Sequence, residues 1–216
     1  MDAIIESLEN ALQIAGLGIC GFFSLVRMHS VREKSYLLLF AFYGSFLLGD
    51  LYWQVCLLCL GDIPRISIVS DLSWYAALLF LYLLLRAAGE AEVSDGAAAA
   101  FSVNKGLPCL APVFTAAMAV FFIQYGKIAS NIVYAVIMGI LLYTAVKGLL
   151  RTETGKGGFR LLYLTVFIFC LLEYALWTVS CFWELVAFRY VYFCIDIMIT
   201  LSFPFYLKII KREVRP

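Results

Sequence analysis

Residues 36–60 read YLLLFAFYGSFLLGDLYWQVCLLCL, and in those twenty-five positions Asp50 is the only charged side chain. A helix of that length rises about 37 Å, more than the roughly 30 Å of hydrocarbon in a bilayer. Similar apolar runs, separated by charged or turn-like breaks, lie near 10–26, 67–85, 107–125, 128–147, 161–183 and 186–207. Across all 216 residues, 64% are hydrophobic, 14% are charged, and the mean hydropathy is +0.94. A soluble domain of that size could not hide so much apolar surface. The expectation is an all-α, polytopic membrane bundle of about seven transmembrane helices. It forms one transmembrane domain over 1–216, with no room for a second, soluble one.

The basic residues sort by side. With the N-terminus placed outside and the C-terminus in the cytoplasm, thirteen of the sixteen lysines and arginines fall on the cytoplasmic side, leaving only Arg65, Lys127 and Arg189 outside. That is a strong positive-inside bias, and adding or removing one span would scramble it. Lys208, Lys211, Arg212 and Arg215 form the densest basic run, beside the end of the last span, and read as a stop-transfer flank in contact with headgroups. With a net charge of +1 and no basic stripe elsewhere, nucleic acid is not an expected partner; the lipid bilayer is. Met1 is followed by Asp2, Glu6 and Glu9 rather than by a positive n-region, so the first apolar stretch is expected to stay in the mature protein.

The two ends of the chain resemble each other. Leu47-Leu-Gly-Asp50-Leu-Tyr-Trp53, followed by Asp71, is echoed by Leu171-Leu-Glu173-Tyr-Ala-Leu-Trp177, followed by Asp196. Both copies run in the same direction, and the pattern reads as a 3+1+3 parallel repeat, 10–86 and 128–208, with 107–125 as a linker helix.

Asp50, Asp71, Glu173 and Asp196 all sit within expected spans, without a lysine or arginine at comparable depth apart from Arg189 near the outer end of the last one. On insertion scales each acid costs about 2.5–3.5 kcal/mol at a helix centre, so each needs an interior-facing position, a hydrogen-bonding neighbour or a proton. Carboxylates gathered without a base are expected to share protons, because like charges resist joint ionisation. Trp53 follows Asp50 by three, Trp74 follows Asp71 by three and Trp177 follows Glu173 by four, spacings that place ring and carboxylate on one helical face. One reading is an intramembrane pocket lined by acids and aromatics, made of Asp50, Trp53, Asp71, Trp74, Glu173, Trp177 and Asp196. Such a pocket suits a small cationic or amphipathic ligand. The blander reading keeps the acids as packing polar groups and the tryptophans as an interfacial belt.

Other motifs point to less. Cys56-Leu-Leu-Cys59 puts two thiols on one face, as in membrane thiol oxidoreductases, but lacks a second redox pair; a Cys59–Cys181 disulfide is conceivable from their similar depth. His29, the single histidine, lies in a basic turn, so neither a metal site nor any other cofactor is expected. The last span has no interior lysine, which excludes a retinal Schiff base. Pro64 and Pro204 read as a turn former and a helix kink.

The outline Gly49-Asp50-Leu-Tyr-Trp53, Gly61-Asp-Ile-Pro64, Ser70-Asp71 and Trp74 resembles the seven-helix N-terminal sensor regions of some prokaryotic histidine kinases. That resemblance implies a ligand-sensing module acting on a cytoplasmic signalling partner. Ser45-Phe-Leu-Leu-Gly-Asp50 is similar to the lysoplasmalogenase family, which implies lipid hydrolysis; that family places a histidine in the following helix where this chain has Asp71 and Trp74. The sequence therefore favours a sensor-like ligand-binding module. A proton- or cation-coupled transporter comes second and an intramembrane lipid hydrolase third.

Overall fold

A computed structural model describes residues 2–61, 68–94, 108–151 and 159–213, with side chains described for 5–61, 68–92, 108–150 and 159–213. Seven helices follow one another: α1 (Asp2–Val31), α2 (Lys34–Leu60), α3 (Ile68–Ser94), α4 (Leu110–Phe122), α5 (Ile128–Arg151), α6 (Arg160–Ser180) and α7 (Val186–Glu213). All but α4 are long and apolar enough to cross a membrane. Large apolar side chains such as Leu48, Leu72, Val120, Val136 and Leu201 stand exposed along the outside of the bundle. On a water-soluble protein such a surface would be an aggregation hazard; here it is the face offered to lipid. The protein is a multi-pass helical membrane protein.

Three helices depart most from the sequence expectation, α3 by running on to Ser94 rather than ending near residue 85. α1 begins at Asp2 rather than near residue 10: Glu6 and Glu9, which precede the expected span, are turned into the bundle and Glu9 is buried. The fourth span is shorter than expected: α4 holds thirteen residues, about 20 Å, with turns before and after it. Pro108 and Gly126 explain this, one unable to continue a helix on its N-terminal side and the other favouring termination.

Cross-helix contacts fix the helix directions. Gln54 meets Ser7 and Trp74 meets Asp50, so α2 runs against α1 and α3. Ser130 meets Asp71, which sets α5 parallel to α3, and Asn131 reaches the Phe122 carbonyl, which sets α4 against α5. Gln13 meets Asp196, and Thr200 packs on Gly16, so α7 runs parallel to α1. Directions thus alternate along the chain, and the two ends of the described chain lie at opposite ends of the bundle.

Six helices close a ring in the order α1, α2, α3, α5, α6, α7, with α4 packed outside against α5 and α6. Neighbour relations are the same in both halves: α2 lies between α1 and α3 and also touches α7, while α6 lies between α5 and α7 and also touches α3. Toward the end that carries the basic residues, aromatic side chains pack the centre of the ring. Phe42 packs edge-on against Phe169, Phe203 and Tyr206 at 5.6–6.3 Å, and all four rings are fully buried. Tyr43 donates from its hydroxyl to the Phe203 carbonyl at 2.6 Å, bracing α7 one residue before Pro204, the proline inside that helix.

Candidate functional site

Above this aromatic plug the ring is open. A cavity of about 470 Å³ is walled by all six ring helices and by none of α4. Its floor includes Phe46, which meets Phe203 of the plug at 5.5 Å. Asp50, Trp53, Asp71, Trp74, Glu173, Trp177 and Asp196, the residues singled out by sequence, all line it. So do Glu6, Glu9, Asn10 and Gln13 from α1, Tyr134 from α5, and Tyr192 and Trp183 from or near α7. Among the described residues the wall contains no lysine, arginine or histidine.

Depth follows from position along each helix. Asp50 lies ten residues from the end of α2 and Asp196 ten residues into α7, each about 15 Å from its helix terminus. Both are buried, as is Glu173. Asp71 differs from expectation. It sits in the first turn of α3 and is half-buried, at the mouth rather than in the interior, where the positive end of the helix dipole favours a carboxylate.

Each of these acids is held by a neutral donor from a neighbouring helix. Trp74 Nε1 donates to Asp50 Oδ1 at 3.0 Å, the Tyr134 hydroxyl to Glu173 Oε2 at 3.3 Å, and Gln13 Nε2 to Asp196 Oδ1 at 3.2 Å. Ser130 Oγ donates to Asp71 Oδ2 at 3.3 Å, and Trp53 Nε1 to Glu6 Oε1 at 3.2 Å. Trp53 and Trp74 therefore bond an acid on a neighbouring helix rather than the one three residues before them on their own. The i+3 spacing puts ring and carboxylate on the cavity face, and the bond then forms across the helix interface. Gly49 makes the Trp74 bond possible: a Cβ there would stand 2.6 Å from Trp74 Nε1. Arg189, the one cation weighed at depth, donates to the Trp183 carbonyl at 3.0 Å and does not line the cavity.

Aromatic rings form the remaining wall. Tyr134 and Trp177 stack at 4.3 Å with their planes 21° apart, and Trp53 meets Trp74 at 5.9 Å. Trp183 meets Tyr192 edge-on at 5.3 Å. All four tryptophans of the chain thus face one space, with electron-rich rings beside carboxyl groups.

Reasoning from sequence missed the α1 contribution. Glu6, Glu9, Asn10 and Gln13 recur at three- and four-residue spacing, a polar stripe on an otherwise apolar helix, and that periodicity was the available signal. Cys56 is buried, Cys59 is exposed, and both of them and Cys181 are unpaired thiols. Pro64 and Asp62 lie outside the described residues.

No family model, no curated protein and no solved structure matches this chain. Fold and site alone define the class, a multi-pass helical membrane protein with an acid- and tryptophan-walled cavity open toward one end of the bundle.

Proposed function

We propose that the protein is a ligand-binding, sensor-like membrane module whose cavity takes a small organic cation. One observation carries this reading: six carboxyl groups and four tryptophans converge on a space in whose wall no basic side chain stands among the described residues. An organic cation answers both features at once, by charge pairing in a low-dielectric site and by contact with aromatic faces. The cavity opens at the acid-rich end, which the positive-inside pattern puts outside the cytoplasm, while the plug separates it from the basic end. A ligand-dependent shift of α7 or α3 relative to the plug would be read by a signalling partner at the cytoplasmic face.

A second reading, a small cation or proton-coupled transporter, is favoured by the matching neighbour relations in the two halves of the ring. They support a parallel repeat of α1–α3 and α5–α7 with α4 as linker. Transport would require the Phe42, Phe169, Phe203 and Tyr206 plug to open.

The test uses the four wall tryptophans as reporters. Purified protein in nanodiscs is titrated with phenethylamine and, separately, with the anion phenylacetate. Saturable fluorescence change is expected with the amine alone, and is expected to vanish in the Asp50→Asn, Glu173→Gln double variant. An equal response to the anion would dismiss the cation-binding reading. Uptake of the amine into sealed proteoliposomes that disappears in Asp50→Asn would replace the sensor by the transporter.

A further inference from the structure

Some polar atoms of the cavity wall find no partner among the described residues. Asp50 Oδ1 is held by Trp74, but Oδ2 is buried and has no partner. Glu9 lies within hydrogen-bonding reach of Asp196, yet its Oε1 is unpaired. Asn10, the next residue along α1, leaves Nδ2 unpaired. The three side chains belong to the cavity wall, and their residues are only 3%, 7% and 9% exposed. Such groups are unfavourable in a low-dielectric interior unless something completes them. Among the described wall residues, the buried polar atoms without a partner all belong to α1 and α2, so these gaps are local to that side.

Two acceptors and one donor are therefore what an occupant must complete. Resting on the reading that the cavity takes a cation, we infer that its ligand is a primary or secondary ammonium whose N–H groups bond Asp50 and Glu9. It also carries an oxygen acceptor, close to the nitrogen, for the Asn10 amide. Its apolar or aryl body lies between the Trp53–Trp74 pair and the Tyr134–Trp177 stack. The terminal torsion of a carboxyl group is soft, so Asp50 Oδ2 and Glu9 Oε1 turn toward a nitrogen at little strain. A quaternary ammonium would keep the charge and the aromatic contacts but bring no N–H, leaving both oxygens unpaired. A hard divalent cation needs several convergent oxygens at short range, and among the described residues no three metal-ligating side chains are so grouped.

The experiment compares three probes by tryptophan fluorescence in nanodiscs: phenethylamine, phenethyltrimethylammonium and 2-amino-1-phenylethanol. Phenethylamine is expected to bind about tenfold more tightly than its trimethyl analogue, and the amino alcohol about fivefold more tightly again. Asn10→Leu is expected to erase the hydroxyl gain alone. Glu9→Gln and Asp50→Asn are each expected to narrow the ratio between primary and quaternary amines, a readout that a merely structural role would leave alone. If Asp50→Asn does not fold, Glu9→Gln carries the same comparison. Equal or tighter binding of the trimethyl analogue overturns the inference while leaving the cation site intact. Binding by none of the three removes both.

Discussion

Replacing Gly49 by alanine tests whether the Trp74–Asp50 contact organises the cavity. The new Cβ would lie 2.6 Å from Trp74 Nε1 and 2.8 Å from Cδ1, so the indole must withdraw. Withdrawal breaks the 3.0 Å bond to Asp50, worth about 1.5–3 kcal/mol if the carboxyl is ionised and about 1 kcal/mol if it is not. Displacing the ring adds about 1–3 kcal/mol of overpacking, while alanine returns up to about 1 kcal/mol of helix propensity. The effects share one side chain and do not add fully, which leaves a net loss of about 1–4 kcal/mol. Gly44, on the same helix, has open space around its Cα, with nothing within 4 Å of an added methyl. It serves as the control, expected to be neutral or slightly stabilising as alanine. Equilibrium unfolding in mixed micelles measures both, with tryptophan emission following Trp74. A Gly49→Ala protein as stable as Gly44→Ala, with an unshifted spectrum, would refute the claim that the close approach holds the indole on Asp50.

Three other outcomes follow from the same geometry. Gly148→Ala would place its methyl inside the buried Tyr163 ring near the basic end. It should destabilise by about 1–3 kcal/mol with little change in amine affinity among molecules that fold, measured by unfolding and by fluorescence titration. Tyr43→Phe deletes the hydroxyl that donates to the Phe203 carbonyl and should cost about 1 kcal/mol in the same unfolding assay. Cys59 and Cys109 are both exposed and lie toward opposite ends of the bundle. In single-cysteine proteins in intact cells, a membrane-impermeant maleimide should label Cys59 at once and Cys109 only after permeabilisation; labelling of both from one side would contradict the proposed topology.

The helical membrane class was legible because length and hydropathy alone determine which segments can sit in lipid. The wall acids were legible for a related reason. A carboxylate such as Asp50 inside a 25-residue apolar run has few stable places to go except a shared interior. Glu6 and Glu9 escaped because a charge near a chain end reads as solvent flank, and only the packing of α1 against α2 and α7 turns it inward. The same limit explains the tryptophan pairing. Spacing along one helix reports which residues share a face, but the bonds from Trp74 to Asp50 and from Trp53 to Glu6 depend on the register between helices, set by close approaches such as Gly49. The short α4 was concealed by flanking apolar residues that continue its hydrophobicity beyond its helical turns.

Whether this cavity is an organic-cation site is tested most directly by an experimental structure of the protein soaked with 4-bromophenethylamine, with the bromine located by its anomalous signal. The peak is expected inside the ring, between Trp53, Trp74 and Trp177, with the nitrogen toward Asp50 and Glu9. A cavity without bromine while peaks decorate the lipid-facing surface would contradict the assignment.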